Sequence, residues 1–238
     1  MNSYIGTAGW SIPGIHAQHF VAEGSHLIRY ASKLNCAEIN SCFYREHKPE
    51  TYRKWAAAVP DDFRFSVKAP KSITHEGKLC VQGEGALKRF LDQTSALGEK
   101  RGPVLLQIPP KLAFDNVSAK SFFTMFRELY AGRAVFEPRH VSWFGDDAEF
   151  LLRKFGVARV AADPALIQEA ARPGGWPGLV YFRLHGSPRR YYSAYSEDYL
   201  VRLAADLQLA ATSATAWCIF DNTASGAALA NALELINK

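Results

Sequence analysis

Several signals that would assign a function at once are missing from this 238-residue chain. Its four cysteines, Cys36, Cys42, Cys80 and Cys218, form no CxxC pair and keep no finger-like spacing from histidine. Neither a disulfide framework nor structural zinc is therefore indicated, and a reducing cytoplasm is the expected setting. No apolar run approaches the roughly 20 residues that span a bilayer. Met1, Asn2 and Ser3 run straight into an apolar segment without a basic start or a cleavage site, so no secretory leader is expected. There is no HxH or HExxH motif, no serine- and glycine-rich linker and no low-complexity tract. IGTAGW, from Ile5 to Trp10, has Gly6 and Gly9 but not the GxGxxG of a dinucleotide fold.

Charge of one sign is also in short supply. The 28 Lys and Arg against 23 Asp and Glu leave a net charge of +5. That permits an anionic partner or nucleic acid without requiring either. The basic residues are spread out, with local clusters only at Lys68/Lys71 and Arg189/Arg190, where a polynucleotide-binding module would show a longer stripe.

What is present is an alternation. Apolar runs of strand length fall at 4–7, 36–40, 64–69, 104–107, 134–137, 158–163, 180–185 and 216–221, about eight in all. Amphipathic stripes fill the gaps: Leu27, Ile28, Tyr30 and Leu34 after Ser25; Tyr52, Trp55 and Val59 after Pro49; Leu87, Phe90, Leu91 and Leu97 before Gly98. Phe122, Phe123, Phe126 and Leu129 follow Ser118, and Phe150, Leu151, Leu152 and Phe155 precede Gly156. A short segment over 166–171 is cut off by Pro173, and stripes from Tyr199 to Leu207 and from Leu229 to Ile236 complete the series. All are expected to be core. Eight βα units with 48% hydrophobic residues predict one (β/α)8 barrel of TIM type over residues 1–238.

In such a barrel alternate strand residues face the interior, and active sites sit at the carboxyl ends of the strands. The run YFRLHG then has a rationale. Phe182 and Leu184 face the helices, while Tyr181, Arg183 and His185 face inward. The same register brings in Glu38 and Asn40, Ser66 and Lys68, Gln107, Glu137, Asp163 and Asp221. Buried charges without partners cost several kcal/mol each, so these groups either pair with one another or serve a ligand.

The runs GTAGWS, EINSCFY, FSVKAPKSITH, GPVLLQIPP, FEPRHVSWF and YFRLHG, in that order over nearly the whole chain, resemble the domain of unknown function 72, or YecE-like, family. The resemblance implies a TIM barrel and leaves the reaction open. Ile12, Cys42 and the pair Asp221-Asn222 depart from residues common in that family.

The inward cluster suits acid/base work. Glu137, His185, Asp163 and Asp221 are the candidate proton-transfer groups. Lys68, Arg139 and Arg183 suit phosphate or carboxylate oxygens, with Glu38, Asn40, Gln107 and Asn222 as further polar contacts and Tyr44, Trp143 and Tyr191 as a stacking wall. Thr74 and His75, in the long segment 70–84, and Arg189 and Tyr191, in SPRRYYSAYS, are candidates for a lid or loop. Ser225 is a candidate N-cap over an anion cradle. Glu38, Glu137, Asp163, Asp221 and His185 would be the ligands of a single divalent cation, although salt bridging explains the acids as well. A Schiff base on Lys68 is chemically open, but nothing else in the sequence selects for it. The leading expectation is a hydrolase, isomerase or lyase acting on a small anionic or sugar-like substrate. The alternatives are a nucleic-acid binder or phosphodiesterase, drawn from the net charge and the RRYY run, and a ligand sensor without turnover.

Overall fold

The alternation of strand and stripe becomes a nearly closed barrel in the computed structural model, which describes residues 3–238. The chain start at Met1 and Asn2 lies outside the described residues. The strands are β1 (Ser3–Ala8), β2 (Cys36–Ile39), β3 (Arg64–Lys68), β4 (Arg101–Gln107), β5 (Ala134–Glu137), β6 (Val157–Arg159), β7 (Ala161–Asp163), β8 (Gly174–Gly175), β9 (Leu179–Leu184) and β10 (Thr215–Phe220). Parallel pairing runs β9-β10-β1-β2-β3-β4-β5-β6.

The run expected as one strand over 158–163 is broken at Val160. Its first half pairs with β5 and its second half with β9. Val160 N–H donates to the Phe136 carbonyl at 2.9 Å. One stretch of chain thus serves both neighbours in turn and brings the two ends of the sheet together, giving eight strand positions around the barrel. The two-residue β8 lies antiparallel on β6 and has too little sequence to be foreseen.

Helices α1 (His26–Ala31), α2 (Pro49–Ala57), α3 (Glu84–Ser95), α4 (Asn116–Leu129), α5 (Asp146–Lys154), α6 (Glu197–Ala210) and α7 (Ala227–Leu235) wrap the barrel. After β7 a single 3-10 turn, Gln168–Ala171, takes the helix position. Ser25 and Ser196 cap α1 and α6 by accepting from the Ile28 and Tyr199 amides. For α4 the cap is Asp115, which accepts from the Ser118 amide, so the helix starts before the serine that the sequence suggested.

Two apolar layers follow from strand alternation. Phe65, Val67, Leu106, Phe136, Phe182, Leu184 and Phe220 pack outward under the helices, while Cys36, Leu105, Val135, Val160, Tyr181, Trp217 and Ile219 fill the interior. Not every stripe residue is core: Ile28, Phe150 and Ile236 are 43%, 68% and 38% exposed. In α5 the inward face is made by Ala148, Leu151 and Leu152, and Phe150 stands about 100° around the helix from Leu151.

Candidate functional site

Towards the carboxyl ends of the strands the interior changes from apolar to charged. Its centre is Arg183 on β9, wholly buried. Arg183 grips Glu38 of β2 with two bonds, Nε to Oε2 at 3.0 Å and Nη2 to Oε1 at 2.7 Å. The same guanidinium reaches Glu137 Oε2 at 3.3 Å and Asp221 Oδ2 at 3.1 Å. Beneath it the Tyr181 hydroxyl donates to Glu38 Oε2 or Ser66 Oγ, 3.1 and 2.9 Å away.

His185 follows β9 and lies between two acids. Its Nδ1 is 2.9 Å from Asp221 Oδ2, and its Nε2 is 2.9 Å from Glu137 Oε1. Arg139 Nη2 completes a triangle, 2.7 Å from Glu137 Oε1 and 2.8 Å from His185 Nε2. Gln107 Nε2 donates to the other Glu137 oxygen at 2.9 Å. Burial alone would raise the Glu137 carboxyl, but Arg139, Arg183 and His185 outweigh it and hold the group well below the usual carboxylate range. Asp221 is lowered as well: burial opposes ionisation, and Arg183 and His185 overcome it.

Lys68, at the end of β3, breaks this pattern of complete pairing. Among the described residues its Nζ makes no hydrogen bond and no ion pair; it sits 4.2 Å from the centre of the Phe43 ring. The acids expected to neutralise it are already taken by the arginines. Burial and then the charge of Arg183 lower its pKa, against the pull of Glu38, Glu137 and Asp221.

Above the network opens a cavity of about 260 Å³. Arg139, Gln107, His75, Arg190 and Tyr191 contribute its polar lining, and Ile108, Phe144, Val160 and Pro164 its apolar walls. His75 stands on a turn of π-helix, Ser72–Glu76, with Nδ1 held 2.9 Å from Thr74 Oγ1. Burial, Lys68 and Arg139 lower its pKa, in that order. Tyr191 lies edge-on to His185, ring centres 5.8 Å apart, and its amide donates to the His185 carbonyl. Gly186 makes that return possible. Its φ is +90°, and a Cβ there would lie 2.8 Å from the Ser193 carbonyl oxygen.

Other residues singled out from the sequence lie elsewhere. Asp163 does not face inward: alternation puts Val160 and Ala162 inside, and Asp163 Oδ1 accepts from the Tyr195 hydroxyl at 2.8 Å on the helix side. Asn222 donates to the Ser193 carbonyl and to Asn231 of α7. Asn40 follows β2, its Oδ1 buried and without a hydrogen-bond partner among the described residues. Trp143 is buried in the outer core, 4.5 Å from the Phe136 ring, with Nε1 donating to the Leu112 carbonyl. Tyr44 is 74% exposed, and it is the neighbouring Phe43 that faces the site. Thr74 is fully buried and reaches the cavity only by its hydrogen bond to His75 Nδ1. Arg189 stacks on Tyr192 at 3.9 Å, so the cation entering the cavity is Arg190 instead. Ser225 donates to the Tyr192 carbonyl, and the cap of α7 is Gly226, so no serine-capped cradle forms there.

The acid cluster does not fit a divalent cation. Arg183 lies between Glu38, Glu137 and Asp221, where the metal would have to sit, and no group of three potential ligands converges among the described residues. No described helix is long and apolar enough to cross a membrane.

Comparison with known proteins agrees on the family. The profile of the family "Protein of unknown function DUF72" matches residues 4–238. The UPF0759 protein YecE of Escherichia coli K12 is 33% identical over 178 residues, covering 71% of this chain and 62% of that protein. Among solved structures, a DUF72 family protein of Thermotoga maritima superposes with a TM-score of 0.79 at 25% identity, covering 99% of this chain and 98% of its own. One from Enterococcus faecalis gives 0.82 at 21%, covering 99% and 94%. A xylose isomerase-like TIM barrel/4-hydroxyphenylpyruvate dioxygenase fusion gives 0.56 at 14% identity, over 99% of this chain and 42% of that protein.

Proposed function

For a chain that belongs to the family of proteins of unknown function DUF72, we propose an enzyme that binds a small anionic substrate in the barrel mouth and performs acid/base chemistry on it. The observation that carries this reading is Lys68. A network that existed only to neutralise itself would pair every charge, yet a largely buried lysine is left without an acid, within electrostatic reach of His75, which lines the cavity together with Arg139 and Arg190. An anion supplies the missing partner.

Arg139 links the cavity to the proton-transfer pair. His185 Nε2 faces a donor, Arg139, and an acceptor, Glu137 Oε1, at nearly equal distance. With Nδ1–H donated to Asp221, Nε2 accepts from Arg139. A substrate anion that draws Arg139 towards itself frees Nε2 to take a proton beside Glu137, so binding and proton movement are coupled through one guanidinium. This chemistry serves a hydrolase, isomerase or lyase equally well.

The test is titration calorimetry with inorganic phosphate and small carboxylates. Loss of a charged hydrogen bond of about 1.5–3 kcal/mol predicts roughly 10–100-fold weaker binding in Arg139→Gln. Unchanged affinity in that variant, or no binding of any small anion to the natural chain, refutes the proposal. A nucleic-acid ligand, the competing reading, would show itself by tight oligonucleotide binding that falls steeply with salt.

A further inference from the structure

We propose that Lys68 is a carbonyl-reactive amine that forms an imine with a small anionic aldehyde or ketone; the inference rests on the reading of the barrel mouth as an anion site. Three independent features single out Lys68. First, it is the charged member of the cluster without an ion pair or hydrogen bond among the described residues, while Glu38, Glu137 and Asp221 are all engaged by Arg183. A lysine kept to balance acids would hold one of them; a nucleophile must not. Second, burial and the neighbouring Arg183 cation favour the neutral amine that attacks carbonyl carbon, whereas the face of Phe43, 4.2 Å from Nζ, favours the charged form. Three acids also favour the charged form, Glu38 on β2, Glu137 on β5 and Asp221 after β10.

Third, an acid/base partner stands nearby. Burial first, and the Arg139 cation with it, lower the pKa of His75 and so favour its neutral ring. Its Nδ1 is occupied by Thr74 Oγ1, and its Nε2 has no partner among the described residues. Arg139 and Arg190 line the cavity that His75 lines and suit the carboxylate or phosphate of the substrate.

The step balances without a further reagent. Neutral Nζ adds to the carbonyl carbon, the C–N bond forms, and the C=O π pair moves to oxygen. Nζ gives up one proton, which His75 Nε2 passes to that oxygen to form the carbinolamine. The nitrogen lone pair then expels the hydroxyl as the C–O bond breaks, and the second Nζ proton passes through His75 to the departing hydroxyl, which leaves as water. Amine and carbonyl thus give imine and one water, with no change in oxidation state.

The experiment uses the full chain with pyruvate, glyoxylate and glyceraldehyde 3-phosphate in turn, each with sodium cyanoborohydride near neutral pH, read by intact mass and peptide mapping. The expected result is a single reduced adduct on Lys68, formed at least about tenfold faster than on any other lysine and suppressed by excess phosphate. Lys68→Arg and Lys68→Met should lose that adduct. Adducts spread evenly over the lysines, or none from any of the three compounds, overturn the proposal on the natural protein alone, whatever the variants do. Phosphate and lactate titrations separate the two levels. If these carbonyl-free anions bind while no adduct forms, the imine is refuted and the anion site stands. If they do not bind, the anion site is refuted as well.

Discussion

Replacing Arg183 by Met tests the energetic logic of the barrel interior. The change deletes the two bonds to Glu38 and the contacts with Glu137 and Asp221. Glu137 keeps Arg139, His185 and Gln107, and Asp221 keeps His185. Among the described residues, the Glu38 carboxylate keeps only the Tyr181 hydroxyl, in a site with no solvent exposure. Breaking a buried ion pair from one side costs about 3–5 kcal/mol, because the surviving charge is stranded. For a chain of this length that is a melting temperature lower by roughly 6–20 °C. Adding Glu38→Gln to Arg183→Met should recover part of the loss at neutral pH, since the stranded charge is then gone. A single variant within about 1 kcal/mol of the natural protein, or a double variant no more stable than the single one, would refute the reasoning.

Acid denaturation tests the pairing in the natural chain. Glu137 and Asp221 have folded pKa values depressed below their ordinary 4.5 and 3.8, so their stabilisation is complete above those values and is lost as pH falls through the folded ones. Urea midpoints should hold steady down to about pH 5 and then fall; midpoints that stay constant well below pH 4 would contradict the pairing. Gly186→Ala should cost about 1–3 kcal/mol through its positive φ and the close Ser193 carbonyl, and weaken anion binding by displacing Tyr191; thermal melts and calorimetry on one sample check both. Trp143→Ala should cost about 3–5 kcal/mol while leaving anion affinity unchanged. Lost affinity with unaltered melting would show that the indole is not core.

How much of this was legible in the sequence depended on whether geometry or pairing decided the matter. Period-two alternation is a property of the backbone, so Glu38, Lys68, Gln107, Glu137 and Arg183 could be placed on the inner face by counting alone. Asp163 was misplaced because its polarity, not its parity, set its side. Counting back from it through Ala162 and Val160 puts it outward, towards a Tyr195 hydroxyl 32 residues away. Trp143 sits in a 3-10 turn, Val141–Phe144, where no period says which way an indole points. Partner choice was not legible at all. Arg183 and Glu38 are 145 positions apart, and nothing in either neighbourhood tells a reader that the lysine of the cluster, not one of its arginines, would be left over.

That leftover charge follows from how guanidinium and ammonium groups bind acids. Arg183 presents several N–H donors in a fixed plane and engages three carboxylates at once, a task beyond a point-like ammonium. With Arg139 added on Glu137, the acids of the interior are committed. A buried network of this kind contributes little net stability compared with a well-packed apolar core, so stability is a weak reason for its presence. What it does fix is position. Held by Arg183, Glu137 and Asp221 face the two nitrogens of His185, and with those acids engaged no carboxylate is left for Lys68. If that is the purpose of Arg183, then an Arg183→Lys variant should fold better than Arg183→Met yet allow Glu38, Glu137 or Asp221 to capture Lys68. Its reductive adduct at Lys68 should then form more slowly than in the natural chain. An adduct formed as fast as in the natural chain would show that Lys68 owes nothing to its arginine neighbour.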